Sequence, residues 1–152
     1  MDRVSTLELR QLPSSRAGWS ALSDSTRTGI WKYRPVLDVA ENVEDLSLGE
    51  GDTPIVPLTR WGSEQGLQRV LAKLEYMAPT GSFKDRGAAA VIATLVADGA
   101  SAIVEDSSGN AGAAMAAYAA RAGVHAQIFV PESAPLAKRS QIALSLIHIC
   151  RC

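Results

Sequence analysis

A lysine lies where a helix is expected to begin, in the stretch PTGSFKDRG at residues 79–87. Ser82 is predicted to be the N-cap, and Asp85 completes the spacing of a capping box before an apolar run. Lys84 is then the second helical residue, where its cation opposes the positive end of the helix dipole. This costs roughly 0.3–1 kcal/mol. The unfavourable charge marks Lys84 as a candidate for chemistry.

The chemistry that this position favours is that of a nucleophilic amine. If Lys84 is also buried, the helix dipole and desolvation both lower the pKa of its ammonium group from about 10.4. A neutral lysine amine forms a Schiff base with a carbonyl cofactor. Gly81 and Gly87 leave room for a ligand close to the backbone. The alternative is a solvated lysine that pairs with Asp85.

A second candidate is the stretch DSSGNAG, residues 106–112, which follows an apolar segment and precedes an alanine-rich one. Ligands of open α/β sheets bind at such strand-to-helix connections. Successive backbone N–H groups there form a concavity for an anion, which the helix dipole also favours. The side-chain amide of Asn110 is able to hydrogen-bond a ring hydroxyl. The alternative is an ordinary turn, in which Ser, Gly and Asn are common.

The elements that must position these residues alternate between strand and helix from residue 69 onward. Strands are predicted at VLAKLEY, SAIVE and HAQIFV, residues 70–76, 101–105 and 125–130. Between and after them, helices are predicted from Phe83 to about Asp98, from SSGN to before Gly123, and from Ser133. This order predicts an α/β fold with a parallel sheet. Both candidate stretches then lie at the same edge of that sheet.

The segments outside this alternation are less regular. Residues 1–30 are rich in Ser, Thr and Arg and are predicted to form an N-terminal arm, and residues 31–143 one domain. Within that domain, residues 31–60 read as turns that join short extended pieces. Residues 144–152, LSLIHICRC, resemble a translated adaptor sequence from DNA library preparation and are predicted to be non-native. The alternative for them is a genuine terminal strand.

The composition argues against several classes of protein. The chain has 152 residues, 47% of them hydrophobic and 20% charged, with a net charge of −1, which is typical of a soluble globular domain. It has no basic block for nucleic acid and no apolar run of the ~20 residues that span a membrane. Without a secretory h-region, a cytoplasmic location is expected. The two cysteines, Cys150 and Cys152, are a poor metal site, so no metal is predicted.

Taken together, three stretches resemble the β-family of pyridoxal-phosphate enzymes: LGEGDTP, PTGSFKDRG, and SSGNAG with the following AAYAARAG. The resemblance runs from about Gly29 to about Ile142, and the G-E-G-x-T-P element directs it to the threonine synthases. It implies a three-layer αβα fold like that of the tryptophan synthase β-subunit, called fold type II. The family's phosphate-binding loop and its ligand to the pyridine nitrogen would lie beyond residue 143. The chain is therefore interpreted as an incomplete N-terminal part, which we expect to be inactive and to aggregate or fold partially alone.

The resemblance also implies a role for each candidate residue. Lys84 would hold pyridoxal 5'-phosphate as a Schiff base and then serve as acid and base. Asn110 would hydrogen-bond the ring hydroxyl oxygen of the cofactor, Ser107 and Ser108 would receive the carboxylate of the amino-acid substrate, and Ser82 would face that substrate. The implied reaction is that of a carbon–oxygen lyase, which converts O-phosphohomoserine and water to threonine and phosphate. The full-length enzyme would be a homodimer.

Several alternatives stay open at the level of the sequence. Glu50 and Thr53 either support the site or stabilise a turn, whereas His125 is expected to be structural or solvent-facing. The chain could come from another enzyme of the same family, such as a threonine/serine dehydratase or a cysteine synthase. The dehydratases prefer histidine where this chain has Ala111. From a different class, a non-catalytic βαβ module would use SSGNAG to bind an anion, but this leaves Lys84 without a function.

Overall fold

The computed structural model describes residue 18 and residues 22–37, 39–144 and 148–151. Its first half contains a 3-10 helix Gly29–Val36, strand β1 Ile55–Pro57, helix α1 Thr59–Glu64, strand β2 Leu71–Lys73 and a second 3-10 helix Glu75–Met77. Its second half contains helix α2 Lys84–Ala97, strand β3 Ala102–Asp106, helix α3 Asn110–Ala122, strand β4 His125–Val130, helix α4 Leu136–Leu144 and strand β5 His148–Arg151. Most of the predicted N-terminal arm lies outside the described residues.

The second half forms the predicted parallel sheet, with the strand order β3-β4-β5. Ile103 lies opposite Ala126, and Ile128 lies opposite Ile149. The α/β fold with a parallel sheet is therefore confirmed. Strand β5 belongs to the tail that we predicted to be non-native, and its pairing with β4 agrees with the alternative of a terminal strand. The origin of those residues stays a prediction.

Strand β2 does not join this sheet, so the sequence-based prediction of its partner was wrong. It is only three residues long and pairs antiparallel with β1, with Val56 opposite Ala72. Backbone hydrogen bonds from Leu58 to Val70 and from Leu74 to Pro54, both 2.9 Å, extend this pairing beyond both ends of the strand. Strand β2 thus forms a hairpin-like pair with β1, which lies nearby in the chain.

One face of the parallel sheet carries the core. Along β4, the side chains of Ala126, Ile128 and Val130 are buried, whereas those between them are at most half-buried. Helices α3 and α4 pack on this face through a cluster of small and branched side chains, namely Ala113, Ala116, Ile128, Val130 and Ile142. Helix α2 joins the larger core cluster through Ala88, Ala89 and Ile92. The alanines of α3 therefore serve close packing as well as helix formation.

The C-terminal ends of α2 and α3 agree with the prediction, whereas the start of α4 differs from it. Helix α2 ends at Ala97, before Gly99, and α3 is capped by Gly123 in the left-handed conformation. Helix α4 begins at Leu136 rather than at Ser133. The carbonyl of Pro135 accepts the first helical hydrogen bonds, from Lys138 and Arg139, so this proline precedes the helix instead of lying in its first turn.

The described part of the chain exposes several large apolar side chains. Val104, on the sheet face opposite Ile103, is 67% exposed, and Ile55 of β1 is 60% exposed. Such side chains favour association with other apolar surfaces. Within the described ranges, no helix is long and apolar enough to cross a membrane.

Candidate functional site

Helices α2 and α3 lie side by side and run in the same direction. Their C-terminal turns line a common cavity, to which Ala93 and Ala97 belong on one helix and Arg121 on the other. The helices contain 14 and 13 residues, so each is about 20 Å long. Their first residues, Lys84 and Asn110, are then both at the opposite end of the pair. The predicted cause of their proximity, two neighbouring parallel strands, was wrong, because β2 pairs with β1 and not with β3. That the two stretches form one site stays a prediction.

Lys84 is the first residue of α2, not the second as predicted. The N-cap position belongs to Phe83, which makes no side-chain hydrogen bond to the helix. The side chain of Lys84 is exposed rather than buried beneath a sheet edge, and its Nζ lies 4.9 Å from the centroid of the Phe83 ring. This distance is that of a cation–π contact. The amine is thus accessible to a ligand.

The capping box predicted for Ser82 and Asp85 does not form. The Oγ of Ser82 accepts a hydrogen bond from the backbone N–H of Lys84 at 3.2 Å. Asp85 is fully buried, and its carboxylate accepts hydrogen bonds from the Thr80 hydroxyl and from the Thr80 N–H, the latter at 2.8 Å. Because Asp85 reaches back to Thr80 instead of to Ser82, it closes the loop that leads into α2.

Arg86, in the first turn of α2, forms a two-pronged ion pair with Glu75. Its Nε and Nη2 each donate to one carboxylate oxygen at 2.9 Å. The Thr53 hydroxyl donates to the same carboxylate at 2.6 Å. The hydrogen bonds from Arg86, followed by that from Thr53, lower the pKa of Glu75 from 4.5 to about 2. In turn, the Glu75 carboxylate raises the pKa of Arg86. Such paired bonds fix orientation as well as distance.

Glu50 links the LGEGDTP stretch to the middle of α3. It is 1% exposed, and its Oε2 accepts hydrogen bonds from the Tyr118 hydroxyl at 2.7 Å, from the Ser47 hydroxyl at 3.0 Å and from the Leu48 N–H at 3.1 Å. Burial, and then the bond to Glu50, raises the pKa of Tyr118. The other carboxylate oxygen, Oε1, has no hydrogen-bond partner among the described residues. Glu50 therefore stabilises its own turn and also contacts a helix of the site.

The loop before α3 is organised by Ser107. Its Oγ accepts hydrogen bonds from the N–H groups of Gly109 at 3.3 Å and Gly112 at 3.1 Å. Gly112 is needed for this close approach, because a Cβ there would lie 2.3 Å from the carbonyl oxygen of Ser107. The side chains of Ser108 and Asn110 make no hydrogen bond within the described part of the chain. They are available to a ligand at the start of α3.

The sequence did not identify Glu75, Thr80 or Tyr118 as residues around the site. Glu75 is a charged residue inside the apolar segment VLAKLEY that was predicted as a strand, and this was the signal available for it. Tyr118 lies in an alanine-rich segment, and nothing in that pattern marks it as a residue of the site. His125 is exposed at the first residue of β4, which agrees with a structural or solvent-facing role.

The groups at this end of the helix pair fit a cofactor that carries both a carbonyl group and oxygen anions. Lys84 offers an accessible amine, which reacts with carbonyls. Asn110 offers an accessible amide, and the start of α3 offers backbone N–H groups at the positive end of a helix dipole. Ser107 and Ser82 each already accept a backbone N–H, so their own hydroxyl protons remain to be donated.

Enzymes of known function are similar to this chain in amino-acid sequence. The chain is 43% identical over 103 residues to the threonine synthase of Halalkalibacterium halodurans, an alignment that covers 68% of this chain and 29% of that enzyme. It is 38% identical over 120 residues to the threonine synthase of Synechocystis sp., with coverage of 78% and 30%. The predicted resemblance to the threonine synthases is confirmed.

Solved structures show the same fold. Maize serine racemase superposes with a TM-score of 0.61 at 32% identity, covering 65% of this chain and 30% of that one. An O-ureido-L-serine synthase superposes with a TM-score of 0.60 at 33% identity, covering 66% and 32%. The predicted fold type II is thereby confirmed. The chain spans less than a third of the length of these four proteins.

A family match connects the fold to its cofactor. Residues 46–150 match the family described as "Pyridoxal-phosphate dependent enzyme". The matched range includes the LGEGDTP turn, Lys84 and the whole loop before α3. The prediction of pyridoxal phosphate as the cofactor is confirmed by this match. The chain belongs to the family of pyridoxal-phosphate-dependent enzymes.

Proposed function

We propose that this chain is the N-terminal part of a threonine synthase, which converts O-phosphohomoserine and water to threonine and phosphate. The observation that carries the proposal is the difference in sequence identity between relatives. The chain is 43% and 44% identical to two threonine synthases over about 100 residues, but 32% identical to maize serine racemase. The G-E-G-x-T-P element, here Gly49–Pro54, supports the same assignment because it is packed into the site.

Lys84 is proposed to hold the cofactor and to move protons at the substrate carbons. When bound, pyridoxal phosphate supplies an electron sink for negative charge on carbon. The amine of Lys84 is exposed, while the backbone around it is fixed by Asp85 and Arg86. An exposed amine on a fixed helix start suits a group that first binds the cofactor and later transfers protons.

The start of α3 is proposed to bind the anionic and ring oxygens. Asn110 would donate its amide to the ring hydroxyl oxygen of the cofactor. Ser107, Ser108 and the neighbouring backbone N–H groups would receive the substrate carboxylate. Ser82 would donate its hydroxyl on the substrate side, because its oxygen already accepts the N–H of Lys84.

Two other functions compete with this proposal. Another activity of the same family is favoured by the structural likeness to serine racemase and O-ureido-L-serine synthase. A threonine/serine dehydratase or a cysteine synthase would belong to this class. A non-catalytic anion-binding module would need only the loop before α3, and it would not explain the accessible Lys84.

The chain by itself is proposed to be inactive, since it spans only 29% of the Halalkalibacterium enzyme. The phosphate-binding loop of the cofactor is expected in the remaining part. Assignment to the carbon–oxygen lyases, a cytoplasmic location and a homodimeric full-length enzyme are parts of the same proposal.

A chimera tests the proposed reaction. Residues 46–143 replace the corresponding segment of the Halalkalibacterium threonine synthase. The chimeric enzyme is then incubated separately with O-phosphohomoserine, with threonine and with serine. We expect phosphate from the first substrate, and neither ammonia nor a keto acid from the other two. Lys84→Ala should abolish the reaction, whereas Lys138→Arg, at an exposed lysine, should not. Ammonia and keto acid from threonine or serine would instead identify a dehydratase.

A further inference from the structure

One turn contacts both helices that begin at the site. The carboxylate of Glu50 accepts a hydrogen bond from Tyr118 of α3 at 2.7 Å. Three residues later, the Thr53 hydroxyl donates to Glu75 at 2.6 Å and accepts from Arg86 of α2 at 3.3 Å. Residues 47–53 are thus connected to the helix of Asn110 through a buried hydrogen bond and to the helix of Lys84 through partly buried ones.

The turn itself is held in one conformation. Its backbone packs against the first 3-10 helix so closely that a Cβ on Gly51 would lie 2.7 Å from the Cα of Gly29. Lys32 donates to both carboxylate oxygens of Asp52 at 2.7 Å. Glu50 is 1% exposed and Thr53 is 7% exposed. A shift of the turn would therefore break several contacts at once.

We propose that Glu50 and Thr53 are positioning residues, which set the placement of Lys84 relative to Asn110. Thr53 acts through Glu75 and Arg86. Because Arg86 lies two positions after Lys84, this fixes the backbone that carries the amine. Glu50 acts through Tyr118 and so fixes α3. The inference rests on the proposed function, because it assigns both residues to the site at which the cofactor would bind.

The lysines of the chain supply an internal reference for a test. There are four, at positions 32, 73, 84 and 138. Lys32 is bonded to Asp52, and Lys73 donates to the carbonyl of Thr53 at 2.9 Å. Lys84 and Lys138 are exposed, and neither side chain makes a hydrogen bond within the described part of the chain. If accessibility alone decided which amine reacts with the cofactor, Lys84 and Lys138 would be modified equally.

The first measurement uses the full chain and pyridoxal phosphate. Borohydride fixes the cofactor to the amine that holds it, and peptide mass spectrometry gives the ratio of label on Lys84 to label on Lys138. We expect Thr53→Val and Tyr118→Phe to lower this ratio about threefold to tenfold, the range that corresponds to loss of one buried hydrogen bond. Thr53→Ser keeps the hydroxyl and should restore the wild-type ratio.

A matched control separates positioning from general loss of stability. The Thr94 hydroxyl donates to the Ala90 carbonyl at 2.9 Å within α2. Thr94→Val therefore removes a hydroxyl from the same helix without touching the turn, and it should leave the ratio unchanged. All variants are labelled at a temperature below the melting transition of the least stable one.

The second measurement is independent of the cofactor. The N–H of Lys84 is bonded to Ser82 and the N–H of Gly112 to Ser107, so both amides are protected against exchange. Amide hydrogen exchange of the chain alone should become faster at Lys84 in Thr53→Val and at Gly112 in Tyr118→Phe, but at neither amide in Thr94→Val. Unchanged exchange at these amides would overturn the positioning role, even if the variants melt at a lower temperature. Equal labelling of Lys84 and Lys138 in the wild-type chain would instead count against the proposed function, while the exchange result still decides the role of Glu50 and Thr53.

Discussion

Tyr118 donates a hydrogen bond to Glu50 across 2.7 Å, between two side chains that are 0% and 1% exposed. The two residues are 68 positions apart in the chain. Because water does not reach the pair, neither group finds a replacement partner if the other is removed. This bond ties the LGEGDTP turn to α3, and its energetic weight is open to direct measurement.

Tyr118→Phe should lower the free energy of unfolding by about 1–3 kcal/mol, because it leaves a buried carboxylate with one donor fewer. Tyr33→Phe is the matched control, since Tyr33 is 43% exposed, and it should change stability by less than about 0.5 kcal/mol. Pulse proteolysis in urea, with dilute chain to limit association, gives both values. Equal urea midpoints for the two variants would show that the bond contributes nothing.

The pKa of Glu75 predicts a stability change in acid. Since folding lowers this pKa from 4.5 to about 2, chiefly through the hydrogen bonds from Arg86, the carboxylate stabilises the fold above pH 4.5. The contribution is lost as the pH falls from 4.5 to about 2. Partial exposure limits it to about 1 kcal/mol. Wild-type stability should therefore fall more steeply over this range than that of Glu75→Gln, when both are measured by urea unfolding at each pH.

An exposed acidic residue serves as the control for the acid titration. Glu64 pairs with Arg60 on α1, where the two side chains are 53% and 93% exposed. Glu64→Gln should keep the steep wild-type dependence on pH. If Glu75→Gln behaves in the same way, the ion pair with Arg86 does not stabilise the folded chain.

Two helical glycines should respond to alanine with opposite signs. A Cβ at Gly112 would lie 2.3 Å from the Ser107 carbonyl oxygen, so Gly112→Ala should destabilise the chain by about 1–3 kcal/mol. A Cβ at Gly87 would have no atom within 4 Å, so Gly87→Ala should stabilise α2 by about 0.5–1 kcal/mol. Urea unfolding of both variants measures the difference. Destabilisation by Gly87→Ala would mean that the start of α2 does not have the described conformation.

Removal of the Thr80 hydroxyl should destabilise the loop before α2. Thr80→Val leaves the carboxylate of Asp85, which is 0% exposed, with one donor fewer, at an expected cost of about 1–3 kcal/mol. The exposed pair of Thr26 and Asp24 has the same chemistry at 2.5 Å, so Thr26→Val is the control and should have little effect. Faster amide exchange at Lys84 in Thr80→Val alone would locate the change in the loop. Similar losses in both variants would contradict the importance of burial.

Much of the site could be predicted because it depends on short-range rules. Lys84 at a helix start, the SSGN loop before α3 and the glycines after α2 and α3 all follow from turn and capping preferences within a few residues. The parallel pairing of β3 with β4 follows from two apolar segments that flank a helix of suitable length. Each of these features is encoded by residues that are neighbours in the sequence.

The partners of the polar side chains could not be predicted in this way. The spacing of Ser82 and Asp85 favoured a capping box, yet Asp85 bonds Thr80, because burial of its carboxylate is decided by the surrounding packing. Strand β2 pairs with β1 because an antiparallel partner lies close by, a choice that its apolar pattern does not contain.

The sequence by itself determined the family of this protein and the candidate residues for its chemistry, a lysine at one helix start and a polar loop at another. Only the tertiary structure decided how these parts are held together. The parallel packing of α2 and α3 and the two contacts of the LGEGDTP turn join residues that are far apart in the chain. Such contacts depend on the shape and burial of the whole core, whereas local patterns record only which residues are able to form a helix, a strand or a turn.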